Sequence, residues 1–170
     1  TASGNVTGTN GVSDDRGISG SATTGKVNIT VNNGASVIAT GGTDAIAADT
    51  TTGNITIDTT AGGAISAADD GIHVTTTSGT VNILTSNSIT GGGTGGASGA
   101  GDDGISAVAS GAAIINIDAI GSQIGGGGDG IYANSAGGQI RVGSALNGGY
   151  IDTNFLGSIT NAGIQTVNTT

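Results

Sequence analysis

The stretch that decides the fold is Asp70-Gly-Ile-His-Val-Thr-Thr-Thr-Ser-Gly-Thr-Val-Asn-Ile83. It contains two short apolar alternations separated by a polar turn. In the second alternation Val81 and Ile83 flank Asn82, which is the period-2 pattern of a strand with one buried face. Ile and Val are β-branched and favour extended backbone. The stretch therefore predicts two short strands joined by a corner at Ser78-Gly79.

The same pattern recurs along the whole chain. An anchor isoleucine, preceded by Gly or Ala, follows a polar turn at Ile18, Ile46, Ile72, Ile105, Ile131 and Ile164. Successive anchors are 28, 26, 33, 26 and 33 residues apart. A second apolar position follows 11 or 12 residues after each of the first five anchors, at Ile29, Ile57, Ile83, Ile117 and Val142. A third, weaker position is found at Ile38, Ile65, Ile89, Ile124 and either Ile151 or Ile159.

Three apolar positions in each repeat predict an all-β chain. We expect a right-handed single-stranded parallel β-helix, or β-solenoid, with about 26 residues in each three-strand coil. One coil cannot bury its own apolar side chains, so the coils stack about 4.8 Å apart and like residues form ladders. The anchor and second-position residues are the predicted core ladder. The lack of Pro agrees with this fold, because interior strands pair on both edges.

The chain is predicted to be one solenoid segment over residues 1–170, without caps. The two longer repeats are predicted to carry insertion loops near 91–101 and 152–160. Uncapped solenoid ends expose unpaired strand edges. We therefore expect a segment of a longer stack, or a unit that assembles end to end.

Charge and composition exclude several classes of function. The net charge is −9, with 12 acidic residues against 3 Lys and Arg. So few cations cannot bind a nucleic-acid backbone or an anionic membrane surface. No apolar run approaches 18 residues, so no transmembrane segment is predicted. The lack of Cys excludes a disulfide framework and a thiolate metal site.

Aspartates precede the anchors and would stack into an acidic ladder. Unit charges about 5 Å apart repel by roughly 1 kcal/mol in water and by more in a lower dielectric, so something must offset them. One reading is a solvated Asx turn in which each carboxylate accepts backbone N–H groups. The other is Ca²⁺, which binds carboxylate oxygens and is the only cofactor considered. The candidate ligands are Asp69, Asp70, Asp102, Asp103 and Asp129.

Two further polar residues have predicted places. Arg16 is expected to form a surface ion pair with Asp44 one coil further along. His73 is the one histidine, and its position between Ile72 and Val74 predicts an outward-facing strand residue. The chain has no Glu, and the basic and aromatic residues of a polysaccharide-cleaving groove are missing. We therefore expect no catalytic site and no enzyme activity.

The repeat resembles that of autotransporter passenger domains, the type V secreted proteins of Gram-negative bacteria. The residues that carry the resemblance are the stretch 70–83 and Asp129-Gly-Ile-Tyr-Ala-Asn-Ser-Ala-Gly-Gly-Gln-Ile-Arg-Val142. The resemblance covers about residues 14–170. It implies a parallel β-helix on the bacterial cell surface or in the extracellular medium. It specifies an architecture and no particular activity.

The function expected from these features is structural and adhesive. A rigid β-helical stalk or filament segment would serve attachment, self-association or display. Its partners would be other coils, a second copy, or a host or extracellular-matrix surface. The alternatives are an ice-binding solenoid, which would need a regular Thr-x-Thr face, and a glycan-binding solenoid that uses the outward Asn and Thr residues.

Overall fold

The computed structural model describes residues 6–8, 16–41, 43–92, 102–119, 123–143 and 164–168. The strands of these segments are short, because each covers one side of a narrow coil. In chain order they are β1 (Val6–Gly8), β2 (Ile18–Ala22), β3 (Val27–Thr30), β4 (Val37–Ala39), β5 (Ile46–Thr50), β6 (Ile55–Asp58), β7 (Ile65–Ala67), β8 (Ile72–Thr76), β9 (Gly79–Thr85), β10 (Ile89–Thr90), β11 (Ile105–Ala109), β12 (Ala113–Ala119), β13 (Ile124–Gly125), β14 (Ile131–Ser135), β15 (Gln139–Val142) and β16 (Ile164–Asn168).

The strands form three sheets. Sheet 1 has the order β16-β14-β11-β8-β5-β2, sheet 2 the order β15-β12-β9-β6-β3, and sheet 3 the order β1-β4-β7-β10-β13. Every described pairing is parallel, and almost every one joins strands three apart in the chain. The chain therefore visits the three sheets in turn, which is the topology of a parallel β-helix. The predicted fold class is confirmed, and the hand of the coil stays a prediction.

The anchor isoleucines lie over one another in sheet 1. Ile46 is paired with Ile18 on one side and with Ile72 on the other, and Ile105 and Ile131 continue the row to Ile164. The second-position residues form an equivalent row in sheet 2, from Ile29 through Ile57, Ile83 and Ile117 to Val142. Among the described residues, all the largest fully buried side chains are isoleucines. A stiff β-branched side chain of this size repeats well along the axis of the stack.

The third apolar row differs from the sequence prediction by one residue. Val37, not Ile38, is paired with Ile65 and is fully buried. Ile38 is paired with Ser66 and faces outward, where it is half-buried. A shift of one residue in a strand moves a side chain to the opposite face. Two adjacent apolar residues left that choice open in the sequence.

Several predictions cannot be compared with the fold. The insertion near 91–101 lies outside the described residues except for Gly91 and Gly92, and the one near 152–160 lies wholly outside them. Ile151 and Ile159 also lie outside them. The assignment of residues 1–170 to one uncapped segment stays a prediction.

The corner between sheets 1 and 2 brings backbone against backbone. A Cβ added to Gly53 would lie 1.6 Å from the carbonyl oxygen of Gly25, one coil earlier. Gly79 continues this corner with a φ of 116°, a conformation that other L-residues rarely adopt. The corner glycines thus allow successive coils to stack at strand spacing.

Replacing a ladder residue should destabilise the fold strongly. Ile115→Ala empties a fully buried position, which costs about 2–5 kcal/mol of unfolding free energy. The control is Ile114→Ala in the same strand, where the side chain is 38% exposed and the cost should stay below about 1 kcal/mol. Urea unfolding measures both variants. Equal costs would contradict the assigned faces of β12.

The corner can be tested with a pair of glycine variants. Gly53→Ala forces the coils apart and should cost about 1–3 kcal/mol. Gly25→Ala in the preceding coil is the control, because its Cβ would meet only the Cβ of Ala22 at 3.6 Å. The melting temperatures of the two variants provide the comparison. A Gly25→Ala variant that melts as low as Gly53→Ala would argue against this packing.

Candidate functional site

Four buried aspartates occupy one corner of the coil, two residues before successive anchors. Their exposed fractions are 6%, 1%, 0% and 0% in the order Asp44, Asp70, Asp103, Asp129. Because the anchors are in register, these residues also follow one another along the stack. We call the four residues the aspartate ladder.

Backbone N–H groups hold the ladder together across the coils. The Asp103 N–H donates to Oδ1 of Asp70 at 2.8 Å, and the Asp129 N–H donates to Oδ1 of Asp103 at 2.7 Å. Beside the ladder, the Asp102 N–H donates to Oδ1 of Asp69 at 3.0 Å. A hydrogen bond from an N–H to a carboxylate is charge-assisted and strong. Each coil therefore offsets part of the charge of the coil before it.

The arrangement combines parts of both predicted readings. As in an Asx turn, the carboxylates accept backbone N–H groups, but the donors belong to the next coil and the ladder is buried rather than solvated. Of the predicted calcium ligands, Asp70, Asp103 and Asp129 are in the ladder, and Asp69 and Asp102 are half-buried next to it. Asp102 has a φ of 67°, which non-glycine residues seldom adopt. Calcium binding stays a prediction.

Asp103 has the least favourable surroundings in the ladder. Its Oδ2 is buried without a hydrogen-bond partner in the described structure. Burial raises the pKa of Asp103 from 3.8 to about 7, against the lowering effect of the bond from Asp129 and with repulsion from Asp70, Asp129 and Asp102. This carboxyl group is consequently half protonated near neutral pH.

Asp44 forms the predicted ion pair with Arg16. Nε of Arg16 lies 3.7 Å from Oδ2 of Asp44, and the side chains are 39% and 9% exposed. Burial raises the pKa of Asp44 from 3.8 to about 6. His73 and Arg16 lower that pKa, whereas Asp70 and Asp69 raise it.

His73 has a partner that the sequence prediction did not include. It is half-buried in β8, and its Nδ1 lies 2.7 Å from Oδ2 of Asp70. This hydrogen bond raises the pKa of His73, against the opposing effect of burial. The separation of three residues across the turn–strand boundary was the available signal. A histidine just after an anchor can reach back to an aspartate just before it.

Asp44, Asp70 and His73 form one compact group. Each contributes a potential metal-ligating atom, and these atoms all lie within 4.8 Å of one another. In the described part of the chain, this is the one group of three or more such residues at that spacing. The five predicted calcium ligands contribute only Asp70 to it.

A separate groove runs over the outer face of sheet 2. It has a volume of about 350 Å³. Nδ2 of Asn116 donates to Oδ1 of Asn82 at 2.9 Å in its floor. Thr56, Asp118 and Arg141 add hydroxyl, carboxylate and guanidinium groups to its lining. The groove therefore presents a row of polar side chains on a rigid sheet.

Comparisons of the chain with protein-family models, with curated proteins and with solved structures give no match. The strands, turns and bends of the described segments include no apolar helix of membrane-spanning length.

The three raised pKa values predict that the protein is most stable in mild acid. Groups with raised pKa values bind more protons in the folded state, so the free energy of unfolding falls as pH rises from about 4 past 7. Asp103 alone contributes a few kcal/mol, at about 1.36 kcal/mol for each pH unit between its folded and unfolded pKa values. Urea unfolding over this pH range measures the slope.

A variant of Asp103 tests the source of this slope. Asp103→Asn keeps an acceptor for the Asp129 N–H and cannot ionise, so a large part of the slope should disappear. The control is Asp58→Asn, which removes a carboxylate whose hydrogen bonds with Thr60 are exposed. An unchanged slope in Asp103→Asn would rule out this carboxyl group as the source.

Proposed function

We propose that the chain is a structural and adhesive module, a rigid β-helical stalk or filament segment that serves attachment, self-association or display. The observation that carries the proposal is the in-register pairing of three parallel sheets along one axis. Each added coil lengthens the stack without widening it. Backbone hydrogen bonds and isoleucine rows run through all its coils and resist bending.

The strand edges at the ends of the sheets support self-association. In parallel strands the N–H and C=O of one residue bond to the same neighbour, and those of the next residue face the other way. The N–H groups of Val27 and Val31 donate to Asn54 and Asp58 of the next coil. Asn28 therefore turns its backbone N–H and C=O to the opposite edge of β3. Such an edge is a template for another strand.

The proposed setting is a bacterial surface or the extracellular medium. It rests on the resemblance of the repeat to autotransporter passenger domains, which the sequence carries at residues 70–83 and 129–142. A β-helical passenger fragment and a similar secreted solenoid both fit the proposal. The absence of enzyme activity stays a prediction.

Glycan binding is the second candidate function. The groove on sheet 2 favours it, because amide, carboxylate and guanidinium groups on a rigid surface can orient sugar hydroxyls. Ice binding has less support in the described structure. The outer row of sheet 1 that contains Thr75 also contains Ser21, Asp49, Val108 and Asn134, so threonine does not repeat along it.

Self-association can be tested at the edge of β3. Sedimentation velocity and electron microscopy of the wild-type chain should show particles that lengthen with concentration and keep a constant width. Asn28→Pro removes an edge-facing N–H, so it should shorten the particles while the melting temperature changes little.

The matched control is Asn28→Thr, which keeps the N–H and places threonine where the next coil has Thr56. This variant should lengthen as the wild type does. Wild-type particles that stay single and short at every concentration would contradict the proposal.

A further inference from the structure

We propose that Asp44, Asp70 and His73 bind a divalent first-row transition-metal ion of the Zn²⁺ or Co²⁺ type. The donor set is one imidazole nitrogen and two carboxylates, which suits such ions. Ca²⁺ and Mg²⁺ prefer oxygen ligands alone. The site thus differs in ligands and in metal from the calcium set expected from the sequence.

The fold fixes the three ligands close to a common centre. Asp44 and Asp70 occupy equivalent positions in consecutive coils, since Ile46 and Ile72 are paired in sheet 1. His73 follows Asp70 by three residues in the same coil. The three ligand atoms lie within 4.8 Å of one another. Donors about 2.0–2.2 Å from one Zn²⁺ lie at most about 4.4 Å apart, so a movement of a few tenths of an ångström suffices.

Asp44 provides a second, independent observation. The carboxylates of Asp70 and Asp103 accept the N–H of the ladder residue one coil further along. No described residue donates a hydrogen bond to the Asp44 carboxylate, although its side chain is only 9% exposed. Its ionic contact, Nε of Arg16, is 3.7 Å away, beyond hydrogen-bond distance. A carboxylate buried in this way is costly, and a metal bond would satisfy it.

Charge and access agree with the assignment. Two carboxylates converge here, and Asp69 adds to the negative potential at Asp44. A divalent ion would neutralise the pair more fully than Arg16 does. The His73 side chain is 30% exposed, so an ion can enter from solvent and keep water in its remaining coordination positions.

The test uses the full chain, stripped with chelator and titrated with Co²⁺ in mildly alkaline buffer. Visible absorption reports coordination by the protein, and calorimetry with Zn²⁺ gives the affinity. One ion should bind per chain. Asp44→Asn and His73→Gln should each weaken binding roughly tenfold or more.

Arg16→Gln separates this proposal from a purely structural role of the group. Without the competing guanidinium, the Asp44 carboxylate is freer to bind an ion, so the affinity should rise. Asp58→Asn is the control for lost charge and should leave the affinity unchanged. Circular dichroism checks that each variant is folded.

Three results would overturn the proposal. The first is binding that is the same in the wild type, Asp44→Asn and His73→Gln, which would mark adventitious ions. The second is a Co²⁺ spectrum without coordination bands. The third is stabilisation of the chain by Ca²⁺ alone. None of these results depends on whether the chain forms filaments.

Discussion

Backbone pairing between parallel strands one coil apart is the constraint on which the rest of the structure depends. Because the strands are parallel and in register, each residue lies over the equivalent residue of the next coil. A side chain must therefore pack against others of its own row. Isoleucine meets this requirement in sheets 1 and 2, from Ile46 to Ile131 and from Ile57 to Ile117. The sequence repeats because the packing repeats.

The same constraint makes a repeated charge expensive. A row of buried carboxylates brings like charges together at strand spacing, in surroundings that screen them poorly. The chain offsets this with N–H groups of the next coil and, at one end of the ladder, with Arg16 and His73. The remainder is visible in the raised pKa values of Asp44 and Asp103. The ladder thus gives up stability near neutral pH and places reactive groups close together.

The sequence was most informative where one physical requirement acted alone. Buried isoleucines at near-constant spacing predicted the parallel coil, because no other fold needs that spacing. It was less informative where two residues met the requirement equally, as with Val37 and Ile38. The burial of the aspartates and the contact between His73 and Asp70 could not be derived from spacing alone. They depend on how tightly the corner closes and on a side-chain rotamer, which neighbouring coils decide.

The hydrogen bonds of the aspartate ladder all point the same way along the stack. Each runs from the N–H of a later coil to the carboxylate of an earlier one, and the parallel sheets share this polarity. The two ends of the molecule are therefore chemically unlike. A contact that extends the stack joins a front to a back, and a twofold dimer cannot satisfy it. Any fibre built in this way has a direction, and its two tips would grow at different rates.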